Sequence, residues 1–257
     1  MSTHHLSLVA IAALIVVAGG TVAARGSAGR AAVRQDQPPP LPGPVAEMRH
    51  HFVDVTRLHE AVIRGDLPAA RSAAAVLAQM ETPAAFATAG SRFVETIRTS
   101  AQRAASAPDL ASAASATAQM LGQCGGCHLT AVRPPIPAAS TRDLGGIVGH
   151  MREHQRAVDE LLQGLVIPSA RLWSQGAERL RGEPLSTELL PRDPALTASV
   201  KEAETRVHRL ADRATDAAET AARTAAYAEL LTTCAECHSL HGRIWGPRST
   251  GAAGAGS

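Results

Sequence analysis

The sequence predicts an all-α protein built from two tandem up-down-up-down four-helix bundles. Three observations carry this reading. No stretch alternates apolar and polar residues over a strand length, whereas apolar residues recur at helical spacing. The chain repeats itself, with Met48-Arg-His-His51 returning as Met151-Arg-Glu-His154 and Gly65-Asp-Leu-Pro68 returning as a Gly164 and Pro168 turn. Each copy is punctuated by Pro, Gly and Asp at intervals that fit short helix–helix connections.

The elements follow in order. Leu6 to Ala18 is an apolar run, followed by small residues to Ala24, and reads as an export signal cut after Ala24. The n-region holds His4 and His5 but no Lys or Arg, and an uncleaved anchor over residues 1–24 fits the same residues, tethering the protein to a membrane. Either way the remainder is expected in the periplasm or another extracytoplasmic space. Residues 25–44 end in QDQPPPLPGP, which proline bars from helix or central strand, and form a linker.

The first repeat is expected over residues 45–133. Met48, His51, Val55, Leu58 and Val62 share one face of a first helix, which Gly65 stops. Pro68 begins a second helix that runs to about Met80, and Pro83 opens a third carrying Phe86, Phe93, Val94 and Ile97. Asp109 caps a fourth that runs into Cys124. A proline-rich seam occupies residues 134–143. The second repeat, residues 144–246, offers helices over about Leu144–Leu165, Pro168–Arg181, Pro194–Arg213 and Thr215–Cys234. Residues 247–257 read as a flexible tail.

The chemistry lies at the end of each fourth helix. Cys124-Gly-Gly-Cys127-His128 and Cys234-Ala-Glu-Cys237-His238 use all four cysteines of the chain. Cys-x-x-Cys-His is the attachment pattern of c-type haem: two thioethers hold the porphyrin, and the adjoining histidine reaches the iron. Cys124, Cys127, His128, Cys234, Cys237 and His238 are therefore the expected cofactor-binding residues of two covalent haems, with His128 and His238 as proximal iron ligands. A single all-thiolate zinc site would not require the histidines. A thioredoxin-type pair would require a preceding strand. Disulfides within each pair are the remaining alternative in an exported chain.

An antiparallel four-helix arrangement brings the end of the fourth helix beside the start of the first. Met48 and His51 then face the first motif, and Met151 and His154 the second. His51 and His154 rank first as distal ligands, with Met48 and Met151 as the alternatives. On this reading the two sites are independent, and replacing one distal residue touches only its own haem. His50, His59, His150, His208 and His241 read as surface residues, and Trp173 and Trp245 as packing residues. Aromatic residues make up only 2% of the chain, so haem would supply apolar mass that the side chains do not.

A haem motif ending the fourth helix, with a distal candidate early in the first, resembles the cytochrome c′ and c556 group of four-helix-bundle cytochromes. The resemblance covers about residues 45–133 and again 144–246. It implies a helical bundle around each haem and a distal face that carries either a methionine or an open site. Each copy here is shorter than a typical member, and the two are fused.

The expected function is one-electron transfer to redox partner proteins. A haem-based gas or ligand sensor is the alternative and needs an open distal site. No nucleophile or acid–base pair stands out, so no enzyme activity is expected, and a dihaem peroxidase would need a pocket that the sequence does not display. A formal charge of +2, offset by haem propionates, gives no footprint for nucleic acid.

Overall fold

Short polar side chains set the helix starts. The Asp66 carboxylate accepts from the Ala69 amide at 3.1 Å, Asp109 from Ser112 at 2.7 Å, and Ser169 from Leu172 at 3.3 Å. Asp193 accepts from Ala195 and Leu196 at 2.8 and 3.1 Å. Each satisfies an amide that a helix start leaves without a partner. Pro68 and Pro194 stand in first turns, where the missing N–H costs nothing.

The computed structural model describes residues 43–82, 90–130 and 146–244. Eight α-helices result: α1 Gly43–Ile63, α2 Leu67–Leu77, α3 Ser91–Ala105, α4 Leu110–Thr130, α5 Gly146–Val166, α6 Ala170–Leu180, α7 Pro194–Asp216 and α8 Thr220–Ile244. A short 3-10 turn, Thr187–Leu189, precedes α7. No strand occurs among the described residues, which are all-helical in their regular structure. No described helix is long and apolar enough to cross a membrane. The expected signal or anchor, residues 25–42 of the linker, the seam, Pro83, Phe86, Trp245 and the tail lie outside the described residues, whereas Gly43 and Pro44, expected in the linker, open α1, where a first-turn proline loses no hydrogen bond.

Several expected boundaries move, for local reasons. The second helix stops at Leu77 rather than Met80, because Gln79 and Met80 close tighter turns onto the Val76 and Leu77 carbonyls. α4 does not end at Cys124 but continues through the whole motif to Thr130. α8 starts at Thr220 rather than Thr215. The Thr215 hydroxyl donates back to the Ala211 carbonyl, inside α7, instead of capping the next helix. Gly65, with φ of +66°, turns the chain out of α1 as expected.

Successive helices pack as neighbours within each half, α1 on α2, α2 on α3 and α3 on α4, then α5 on α6, α6 on α7 and α7 on α8. The pairing of α4 with α8, one from each half, is as extensive as any of these. Gly122 on α4 meets Thr224 on α8 so closely that a Cβ there would lie 2.7 Å from the Thr224 hydroxyl. Gly122 stands near the middle of α4 and Thr224 in the second turn of α8, so the two helices meet there. α4 also touches α5, and α1 touches α8, more than α1 touches α4 or α5 touches α8. All described residues lie in one compact unit, and the buried side chains of both halves form one continuous cluster.

The centre of that cluster is aromatic despite the composition. Trp173 and Tyr227 are fully buried, with ring centroids 6.5 Å apart, and Trp173 Nε1 donates to the Ala214 carbonyl at 2.7 Å. Alanine fills much of the rest, on α4 above all, which lets neighbouring helices approach closely.

Candidate haem sites

Both Cys-x-x-Cys-His segments lie near the C-terminal ends of long helices, α4 and α8, so within each motif the cysteines and the histidine share one face. All four thiols are free. Burial pushes the Cys124 and Cys234 thiols up to about 12, with their partner cysteines adding to the shift. Cys127 and Cys237 are raised as well, again by burial. The four thiols are therefore protonated at neutral pH and not poised as nucleophilic thiolates.

Each motif histidine is held by a backbone carbonyl from the other half. His128 Nδ1–H donates to the Val166 carbonyl, at the end of α5, at 2.7 Å. His238 Nδ1–H donates to the Ile63 carbonyl, at the end of α1, at 2.6 Å. A carbonyl can only accept, so Nδ1 of both rings carries a proton. The glycines explain the close approach. A Cβ at Gly65 would lie 2.6 Å from the Ala235 carbonyl, and a Cβ at Gly125 would overlap the Leu165 carbonyl. Gly126 faces the Phe93 ring, where a Cβ would lie 2.9 Å away.

Around the expected distal residues the two halves differ. Met48 and His51 sit at the start of α1, half-buried, on a helix that packs against α4. The His51 Nε2 atom is buried and has no hydrogen-bond partner, the kind of orphan that a metal would satisfy. Phe52, Val53 and Leu129, beside His51 and His128, are exposed apolar side chains.

In the second half a polar cluster surrounds His154. His150 Nε2–H donates to both Glu204 oxygens at 3.1 Å, and the His150 and His154 rings are 4.4 Å apart. His208 Nε2 lies 4.0 Å from Glu204, and the Leu185 amide donates to Glu204 at 3.3 Å. Burial holds the His154 imidazole down at about 4, and Glu204, His150, His208 and His238 all act on it electrostatically. Burial alone would push Glu204 up. The hydrogen bond from His150 and the charges of His154 and His150 overcome this and hold it below the ordinary carboxylate range. Glu204 also acts on Cys234 and Cys237, so this cluster faces the second motif. Donor atoms of His150, His154 and Glu204 all lie within 4.8 Å of one another.

Three histidines expected at the surface are elsewhere. His150 and His208 belong to the cluster. His59 is 2% exposed, in the seam between α1 and α8, with Nε2 2.7 Å from the Tyr227 hydroxyl. It sits beside Leu58 and Val62 on the inward face of α1, and Tyr227 supplies the polar partner that burial demands. His50 is exposed, Trp173 is a packing residue as expected, and the His241 side chain lies outside the described residues. A pairwise reading would have found the cluster, since His150 with His154 and Glu204 with His208 are both spaced i, i+4.

The residues present fit two covalent haems. The cysteines of each motif are free and on one face, both histidines engage a carbonyl through Nδ1 and not Nε2 in those bonds, and His51 offers a buried nitrogen without a partner. Comparison with known protein families, with curated proteins and with solved structures finds no match to this chain.

Proposed function

We propose that the chain is an exported dihaem c-type cytochrome, made of two tandem four-helix bundles joined through α4 and α8, that carries single electrons between redox partner proteins. The observation that carries this reading is the pair of bonds from His128 to the Val166 carbonyl and from His238 to the Ile63 carbonyl. A histidine that ligates a metal ordinarily donates its other ring N–H to a carbonyl or carboxylate, which fixes the ring and strengthens the ligand. Both motif histidines have this partner. Cys124 and Cys127, and Cys234 and Cys237, would hold the haems by thioethers, with His128 and His238 proximal. His51 and His154 are the preferred distal ligands, ahead of Met48 and Met151. Haem supplies a one-electron couple, and the protein sets its potential through ligands, burial and hydrogen bonds. The light contact between α1 and α4, and between α5 and α8, is where each bundle would open around its haem. The exposed Phe52, Val53 and Leu129 would cover the first one.

A second reading rests on the His150, His154 and Glu204 group. Two imidazoles and a carboxylate suit a divalent ion such as zinc or copper, without haem in that half. One experiment separates the two. The protein is matured with a cytochrome c assembly system, and its mass and metal content are measured. The dihaem reading expects two haem additions and two irons per chain. One haem with one zinc or copper establishes the second reading, and a mass without haem overturns the first.

A further inference from the structure

The helix that carries the distal residues of one site ends on the proximal histidine of the other. α1 carries Met48 and His51, the preferred distal candidates of the first site, near its start, and its last carbonyl, Ile63, accepts from His238 of the second motif. α5 carries Met151 and His154 near its start, with His154 within electrostatic reach of His238, and its last carbonyl, Val166, accepts from His128 of the first motif. Ile63 follows Met48 at the same distance as Val166 follows Met151, so the two bonds are counterparts in the repeat. Carbonyls at a helix end have no partner within the helix and stand at the negative end of its dipole, which makes them strong acceptors. Around Ile63, the amides of Arg64, Gly65 and Asp66 bond to Glu60, Val62 and Ala61, and His238 takes the Ile63 oxygen itself.

Resting on the dihaem reading, we infer that the Ile63 and Val166 carbonyls are positioning groups for the proximal histidines, and that through α1 and α5 the two haem potentials are coupled across the halves. The N–H···O bond makes the imidazole a more basic ligand, which favours the ferric state. Weakening it raises the potential of the haem on that histidine. A helix is stiff along its axis, so a displacement of His51 at the start of α1 reaches His238 at its end. The same holds for His154 and His128 through α5. The repeat alone suggests two independent sites, and the inference replaces that with coupled ones.

Gly65→Ala tests the inference, because its Cβ would press on the Ala235 carbonyl and on Ser239 and lift the end of α1 off α8. Gly43→Ala is the control, with nothing within 4 Å of its Cβ. Both are read in the dihaem protein, reduced and labelled with ¹⁵N-histidine. In Gly65→Ala, the Nδ1 proton of His238 should exchange with solvent about tenfold faster, a loss of about 1.4 kcal/mol. The midpoint of the haem on His238 should rise. The Nδ1 proton of His128 should exchange as before, and Gly43→Ala should match the wild type. Unchanged exchange and midpoint at His238, in protein whose mass shows two haems, overturn the inference. If Gly65→Ala does not accumulate, the wild-type protein labelled with ¹³C at isoleucine carbonyls decides. A scalar coupling from His238 Nδ1–H to the Ile63 carbonyl carbon supports the bond, and its absence overturns it. A mass showing fewer than two haems counts against the dihaem reading itself.

Discussion

His59 Nε2 and the Tyr227 hydroxyl are 2.7 Å apart, and together they form a buried side-chain bond between the two halves of the chain. The Tyr227 hydroxyl donates onward to the Val158 carbonyl at 3.3 Å, so the imidazole is the donor in the first bond and both polar groups are satisfied. The two rings are parallel within 1°, with centroids 6.0 Å apart. This chain of bonds joins α1, α8 and α5 inside the buried core.

Removing one member leaves the other stranded. Tyr227→Phe should cost about 1–3 kcal/mol, the penalty of an unsatisfied buried polar group. His59→Leu together with Tyr227→Phe should cost less than the sum of the single changes, because no orphan remains. Urea unfolding of the four proteins in a double-mutant cycle measures the difference, and strict additivity would show that the bond contributes nothing.

The same histidine makes stability depend on pH. Burial lowers its folded pKa to about 4 from 6.5. Between these values the unfolded chain binds the proton and the folded chain does not. Stability is therefore intact above about 6.5 and falls as the pH drops toward 4, by about 3 kcal/mol for a shift of this size. In His59→Leu the loss between pH 7 and pH 4.5 should shrink by a comparable amount. Equal pH dependence in the two proteins would place the titrating group elsewhere, with His154 the next candidate.

Close helix approaches depend on glycine, and their tolerance should differ. A Cβ at Gly164 would lie 2.6 Å from the Trp173 amide nitrogen, and one at Gly176 would lie 2.7 Å from the Ala157 carbonyl. Both neighbours are backbone and cannot rotate away. At Gly122 the neighbour is the Thr224 hydroxyl, which can. Gly164→Ala and Gly176→Ala should each cost about 1–3 kcal/mol, and Gly122→Ala clearly less. Thermal unfolding at fixed pH gives the order, and an inverted order would contradict the packing described.

Much of this was legible in the sequence and some was not, for a physical reason. Helix starts at Pro68, Asp109 and Pro194, and the stop at Gly65, depend on local backbone chemistry that a residue carries with it. The motif histidines and cysteines are equally local. What a linear reading missed are contacts between halves. His59 looks like any surface histidine until Tyr227, far along the chain, meets it. The acceptors for His128 and His238 are backbone carbonyls, so no residue type at Val166 or Ile63 could have marked them. The repeat placed Met48 with Met151 and His51 with His154, but gave no sign that α1 would lean more on α8 than on α4.

On the proposed dihaem reading, two substitutions decide the distal ligand. His51 Nε2 is buried and unpartnered, whereas nothing in the structure sets Met48 apart beyond its place one turn earlier on α1. His51→Ala should open the iron held by His128 and produce a high-spin signal from half of the haem. The haem on His238 should stay low-spin while its midpoint shifts through α1. Met48→Ala should leave both low-spin. Visible and electron-paramagnetic spectra of the oxidised variants read the outcome directly. Histidine at both axial positions also predicts potentials below those of a histidine–methionine pair, since methionine raises the potential. If Met48→Ala loses a low-spin haem and His51→Ala keeps both, methionine is the ligand. The buried His51 nitrogen must then find its partner elsewhere, with a haem propionate the first group to examine.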